Sequence, residues 1–166
     1  VTGPDATFIN PRKDRFDAID LDAWASCDGI VVRFVPIDAR VIPHLKRTRI
    51  VVRNGVGFDV VDLKACGEAG IAVCNVPDYG TREVADHAIA LMLTLMKGTE
   101  FHTTALRADP RGNWRPALNP YGRRLSVCTF GVVGIGRIGT AAALRAKAFD
   151  MDVVFYDPYV GNGVDL

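Results

Sequence analysis

The sequence predicts an α/β protein of two doubly wound parallel-sheet lobes, the second incomplete, and three observations carry that prediction. Short β-branched runs alternate with helix-like segments along most of the 166 residues. A glycine-rich turn, Gly134-Ile135-Gly136-Arg137-Ile138-Gly139, sits between one such run, Phe130 to Val133, and an alanine-rich segment, Thr140 to Phe149. The next apolar run, Val153 to Tyr156, ends in an acidic residue, Asp157.

Taken in order, Ala6 to Ile9 reads as a possible first strand, Leu21 to Ser26 as part of a helix and Gly29 to Phe34 as a strand. Ile37 to Leu45 reads as a helix capped by Asp38, with Pro43 limiting its length. Arg49 to Arg53 is the next strand and runs into the turn Asn54-Gly55-Val56-Gly57. Asp62 to Ala69 is a helix stopped by Gly70, and Ile71 to Cys74 a further strand. Strand and helix alternating at this spacing imply a parallel sheet covered on both faces, with ligands collecting beyond the carboxyl ends of the strands. After turn chemistry at Asn75 to Gly80, Thr81 is a good N-cap. Val84, Ala85, Ala88, Ile89, Met92 and Met96 recur at helical spacing, so one helix is expected from about Arg82 to about Arg107, weakened at Gly98. The two methionines are core fillers in this reading. Asp109 to Pro116 breaks regular structure before the nucleotide-binding strand. The expected division is a first lobe over residues 1–98 and a second over 99–166.

Composition excludes several classes. The chain is 49% apolar with a net charge of +1 and no basic stripe, which argues against nucleic acid as a direct partner. No apolar run reaches the ~18–20 residues of a membrane span. Cys27, Cys66, Cys74 and Cys128 are spaced singly, which suits buried thiols in a cytoplasmic protein better than disulfides or a metal site.

The glycine turn carries the chemistry. Gly134 allows the sharp bend, Gly136 lets backbone approach a pyrophosphate, and Gly139 lets the helix pack close to the strand. The helix then aims its unsatisfied N–H groups and positive dipole end at the phosphates. Asp157 lies where a carboxylate accepts from ribose hydroxyls and repels a 2′-phosphate, which favours NAD over NADP. The plainer role for Asp157 is a strand-end turn residue before Pro158.

With these residues in view, the chain resembles the D-isomer-specific 2-hydroxyacid dehydrogenase family, in the branch that includes the C-terminal-binding proteins. The resemblance runs from about Gly29 to Val160. It rests on Val52-Arg53-Asn54-Gly55-Val56-Gly57-Phe58-Asp59, Gly70 to Pro77, Val84-Ala85-Asp86-His87, the glycine loop, and Phe155-Tyr156-Asp157-Pro158-Tyr159. It implies two flavodoxin- or Rossmann-like lobes, NAD as cofactor, and interconversion of a 2-keto acid and a D-2-hydroxy acid in a protein that dimerises through its cofactor domains. By position it implies that Val56 and Gly57 hold the substrate carboxylate through backbone N–H groups, and that Val84 touches the nicotinamide end. It further implies that Arg137 and Ile138 offer N–H groups to the pyrophosphate and that Asp157 takes the ribose. Without the resemblance, Val56 and Gly57 read as an ordinary strand-to-helix turn. The helix-borne His87 is read as a packing or inter-lobe residue rather than a catalytic one.

Val60, Val127 and Asp150 stand where the family usually has asparagine, glycine and glycine. Asp tolerates the left-handed conformation, so the change at Asp150 should cost little. The family's catalytic arginine, glutamate and histidine follow the glycine loop by many tens of residues. The chain is therefore expected to be a fragment with no catalytic residue of its own and no metal site, inactive alone. The rival expectation is a co-regulator whose NAD binding controls dimerisation and whose first lobe holds a short peptide. A third, a nucleotide binder without hydride chemistry, leaves Asn54 to Gly57 unexplained.

Overall fold

The computed structural model describes Thr7, residues 20–115 and residues 119–161. The expected strand over Ala6 to Ile9 lies outside the described residues except for Thr7. Backbone contacts divide the chain into two compact units, Val1–Tyr79 and Gly80–Leu166, so the division falls after Tyr79 where the sequence reading divides at 98/99.

The first unit holds α1 (Leu21–Ala25), β1 (Gly29–Val32), β2 (Ile50–Arg53), α2 (Leu63–Glu68) and β3 (Ala72–Asn75). Asp20 caps α1 by accepting from the Ala23 N–H at 3.0 Å, and Asp62 caps α2 by accepting from Ala65 at 2.9 Å. Gly70, at φ 70°, closes the end of α2 as expected. The strands pair in parallel in the order β1-β2-β3, with Val32, Arg53 and Asn75 in register at their carboxyl ends. Val51, Ile37, Val41 and Cys66 are fully buried on one side of this sheet.

The expected helix over Ile37 to Leu45 does not form; only a single 3-10 turn, Ile42–His44, is present. Ile37 is drawn into a parallel bridge with Val61, its N–H donating to Val60 at 2.8 Å. The Asp38 carboxylate turns to its neighbour instead, accepting from the Arg40 N–H at 2.9 Å and pairing with the Arg40 guanidinium.

The second unit holds α3 (Thr81–Lys97), α4 (Thr99–Ala108), β4 (Thr129–Val133), α5 (Arg137–Lys147) and β5 (Asp152–Tyr156). The single helix expected from Arg82 to Arg107 is two helices. Gly98 takes the left-handed conformation, φ 65°, ending α3 and opening α4. The side chain of Asn119 fixes the break by donating to the carbonyls of Leu95 and Met96 at 3.0 and 3.1 Å. Gly80, not Thr81, is the cap of α3, a one-residue difference at a helix end. Ile89, Met92 and Met96 of α3 pack with Ala146, Met151, Phe130 and Val153, so the methionines fill core as expected. Asp150 is left-handed, φ 59°, at the end of α5.

The protein is α/β with parallel sheets. In the first sheet, however, the described connections cover one face rather than both. A strand order that runs one way with right-handed crossovers places every connection on the same side. The opposite face leaves Val31 64% exposed in the first unit, and Val133 is 87% exposed on β4 of the second.

Candidate functional site

Parallel pairing of β4 with β5 sets Val133 opposite Tyr156, so the residues that follow each strand share one sheet edge. The Gly134 N–H extends the ladder to the Tyr156 carbonyl at 2.8 Å. One residue on, the Ile135 N–H donates to Asp157 Oδ2 at 2.9 Å, while the Tyr159 N–H donates to Oδ1 at 2.9 Å. These backbone donors, Tyr159 first and Ile135 second, hold the Asp157 carboxyl below the usual carboxylate range. Asp157 is thus ionised at neutral pH and tied to the glycine loop itself, a link the sequence does not reveal. A carboxylate has about four lone-pair sites, so further donors can still be accepted.

The three glycines differ in what demands them. Gly134 needs its φ of 90°. A Cβ on Gly139 would lie 2.0 Å from the Gly134 carbonyl oxygen and 3.2 Å from Val132, so α5 could not pack where it does. A Cβ on Gly136 would meet no protein atom within 4 Å, and its φ of −66° suits any residue. Folding therefore does not require glycine there. The space that side chain would fill lies in front of the first turn of α5, where, among the described residues, no protein acceptor takes the N–H of Gly136, Arg137 or Ile138. Donors without acceptors, an open approach and a carboxylate on the neighbouring strand fit a dinucleotide's diphosphate and ribose. Ala142, Ala143 and Ala146, the small buried residues of α5, allow its close approach to the sheet, and Ala141 beside them is half-buried.

The first unit builds a comparable edge. Beyond β2 the turn Asn54 to Gly57 is held by β3: the Asn75 side chain donates to the Val56 carbonyl at 2.8 Å and the Val76 N–H to the Gly55 carbonyl at 3.1 Å. Gly55 adopts φ 153°, and a Cβ there would collide with the Arg53 guanidinium. Arg53 Nη1 donates to the Asn54 carbonyl at 3.3 Å, whereas its buried Nε has no protein acceptor among the described residues. Nor does any protein acceptor take the N–H of Val56 or Gly57 among them. The turn thus presents backbone donors beside a cation, which can hold a carboxylate. Arg53 and Asn75 carry no role in the sequence reading. Their signal was position, each the last residue of a strand.

Val84 is exposed on the first turn of α3. His87, one turn further along α3, is also exposed, which goes against the packing half of its expected packing or inter-lobe role. Of the cysteines only Cys66 is buried, and Cys74 is exposed, so the expectation of buried thiols holds for one of the four. Among the described residues no group of three or more His, Cys, Asp or Glu could hold a metal, and no helix is long and apolar enough to cross a membrane.

The arrangement has known counterparts. The family described as D-isomer specific 2-hydroxyacid dehydrogenase, catalytic domain, matches residues 12–156. D-3-phosphoglycerate dehydrogenase of Archaeoglobus fulgidus is 40% identical over 136 residues, 81% of this chain and 25% of that protein. C-terminal-binding protein 1 of Caenorhabditis elegans is 34% identical over 140 residues, 82% of this chain and 19% of that protein. Among solved structures, D-lactate dehydrogenase of Aquifex aeolicus, complexed with NAD and lactic acid, superposes with a TM-score of 0.75 at 28% identity, over 89% of this chain and 44% of that one. The chain therefore spans no more than a quarter of these curated relatives.

Proposed function

The chain belongs to the D-isomer specific 2-hydroxyacid dehydrogenase family, and from that membership we propose that its whole protein is an NAD-dependent oxidoreductase interconverting a 2-keto acid and a D-2-hydroxy acid. The observation that carries this reading is the edge shared by β4 and β5, where acceptor-free N–H groups of α5 face an open approach beside Asp157. Bound there, NAD would supply the hydride acceptor or donor. Gly136, Arg137 and Ile138 would hold its diphosphate by backbone N–H groups, Asp157 its ribose, and Val84 its nicotinamide end. Val56 and Gly57 would take the substrate carboxylate, with Arg53 adding charge.

The groups that clamp the keto acid and move its proton lie, in this reading, in the part of the relatives that the chain does not cover. The 166 residues alone then bind NAD weakly and transfer no hydride. We place the protein in the cytoplasm, as a homodimer when whole.

Replacing Asp157 with Asn in the whole protein tests the coenzyme assignment. Loss of the charge-assisted bonds predicts an NAD affinity at least about tenfold weaker and a lower preference over NADP. Unchanged affinity for both coenzymes would sink the reading. For the 166-residue chain, NADH oxidation with glyoxylate, pyruvate or hydroxypyruvate should be undetectable.

The likeness to C-terminal-binding protein 1 favours one second reading, a co-regulator that seats a short peptide on the first unit. Saturable keto-acid kinetics in the whole protein argue for the enzyme; peptide binding without them argues for the co-regulator.

A further inference from the structure

At the opposite end of β4 from the glycine loop, four basic side chains converge. Lys97, His102, Arg123 and Arg124 line one open cavity of about 680 Å³, and among the described residues no Asp or Glu lines it. None of the four makes an ion pair with a carboxylate among the described residues. Three of them, Lys97, Arg123 and Arg124, carry a charge at neutral pH wherever they sit on the surface. Like charges gathered around one hollow repel one another, and a multivalent anion would remove that repulsion.

We propose that this cavity binds a small multivalent oxyanion of the polyphosphate type. The joint that forms it is fixed: Gly98 is left-handed, and a Cβ there would lie 2.5 Å from that of Asn119. Asn119 also orders the approach to the arginines, its Oδ1 accepting from the Tyr121 N–H at 3.0 Å and its carbonyl from the Gly122 N–H at 3.2 Å. Of the carbonyls at the end of α3, which would repel an anion, those of Thr94, Leu95 and Met96 already accept hydrogen bonds. Leu95 and Met96 accept from Asn119, and Thr94 and Leu95 from the Gly98 N–H. α4 opens at the same joint with no side chain capping its first N–H groups, which adds positive potential. The two arginines offer planar forks suited to phosphate oxygens.

Every residue lining this cavity precedes β4 and the glycine loop follows it, so the inference stands without the coenzyme reading. A single hollow in a chain of net charge +1 suits a small ligand better than nucleic acid.

The test is a titration of the 15N-labelled whole protein with inorganic pyrophosphate at low ionic strength, read amide by amide. Saturable shifts at Lys97, His102, Arg123 and Arg124 are expected. The R123Q/R124Q variant should weaken binding at least tenfold there while leaving any shifts at Gly136 to Gly139 unchanged. Because both arginines are exposed, folding should be unaffected; K97Q, at the helix end, provides a second variant with a smaller loss. Shifts confined to the glycine loop, equal affinity in the variants, or tighter binding of a short single-stranded oligonucleotide would each overturn the assignment.

Discussion

The two units solve the same problem at the same place in a parallel sheet, and they differ in what fixes the turn. In the second unit the turn after β4 is set by backbone: α5 presses so close that Gly139 nearly touches the Gly134 carbonyl, and Asp157 ties Ile135 from the next strand. In the first unit the turn after β2 is set by side chains, with Asn75 holding Val56 and the Arg53 guanidinium lying across Gly55. Backbone cannot move aside as the end of an arginine can. The comparison teaches that the glycine loop should be the more brittle of the two.

Substitution tests this directly. Gly139→Ala places a methyl 2.0 Å from a backbone oxygen and should cost about 3 kcal/mol, the upper part of the overpacking range, measured by urea denaturation. Gly136→Ala, entering open space, should change stability by less than about 0.5 kcal/mol while weakening NAD binding in the whole protein. Equal stability losses at the two positions would break the comparison. Gly55→Ala should fall between them, at about 1–2 kcal/mol. Arg53 can swing away, which leaves the backbone conformation at φ 153° as the remaining cost.

The smallest effect is the pH dependence that only the second edge should show. Its carboxyl is held below the usual range, so Asp157 adds stability that is present above the unfolded value near ~3.9 and is lost as pH falls through the lower folded value. The Ile135 and Tyr159 amide resonances should shift together in that acid window, while Gly55 and Val56 stay still. Movement of the first-unit turn in the same window would show that the contrast is misdrawn.

Much of this could be read from residue order because its causes are local. Asp20 and Asp62 cap helices three residues away, Gly70 and Asp150 close helices in left-handed conformations, and the three glycines mark a turn between strand and helix. Where the reading failed, a distant residue decided. Asn119 makes Gly98 a full break, and Val61 pulls Ile37 out of a helix into a bridge. The turn at Asn54 to Gly57 was legible as a turn, but the only mark its anchors Arg53 and Asn75 carry in the sequence is that each ends a strand, and what each holds is set by the pairing of β2 with β3.

By itself the sequence determined most of the strand and helix segments, where the chain can bend sharply, and that a helix begins directly after glycine, since each depends on the conformational preferences of residues a few positions apart. Tertiary structure alone decided that Asp157 grips the N–H of Ile135 and that the Gly134 carbonyl is the group pressed against Gly139. Parallel register brings together groups far apart along the chain, and only packing sets the distance between a helix and the strand it follows.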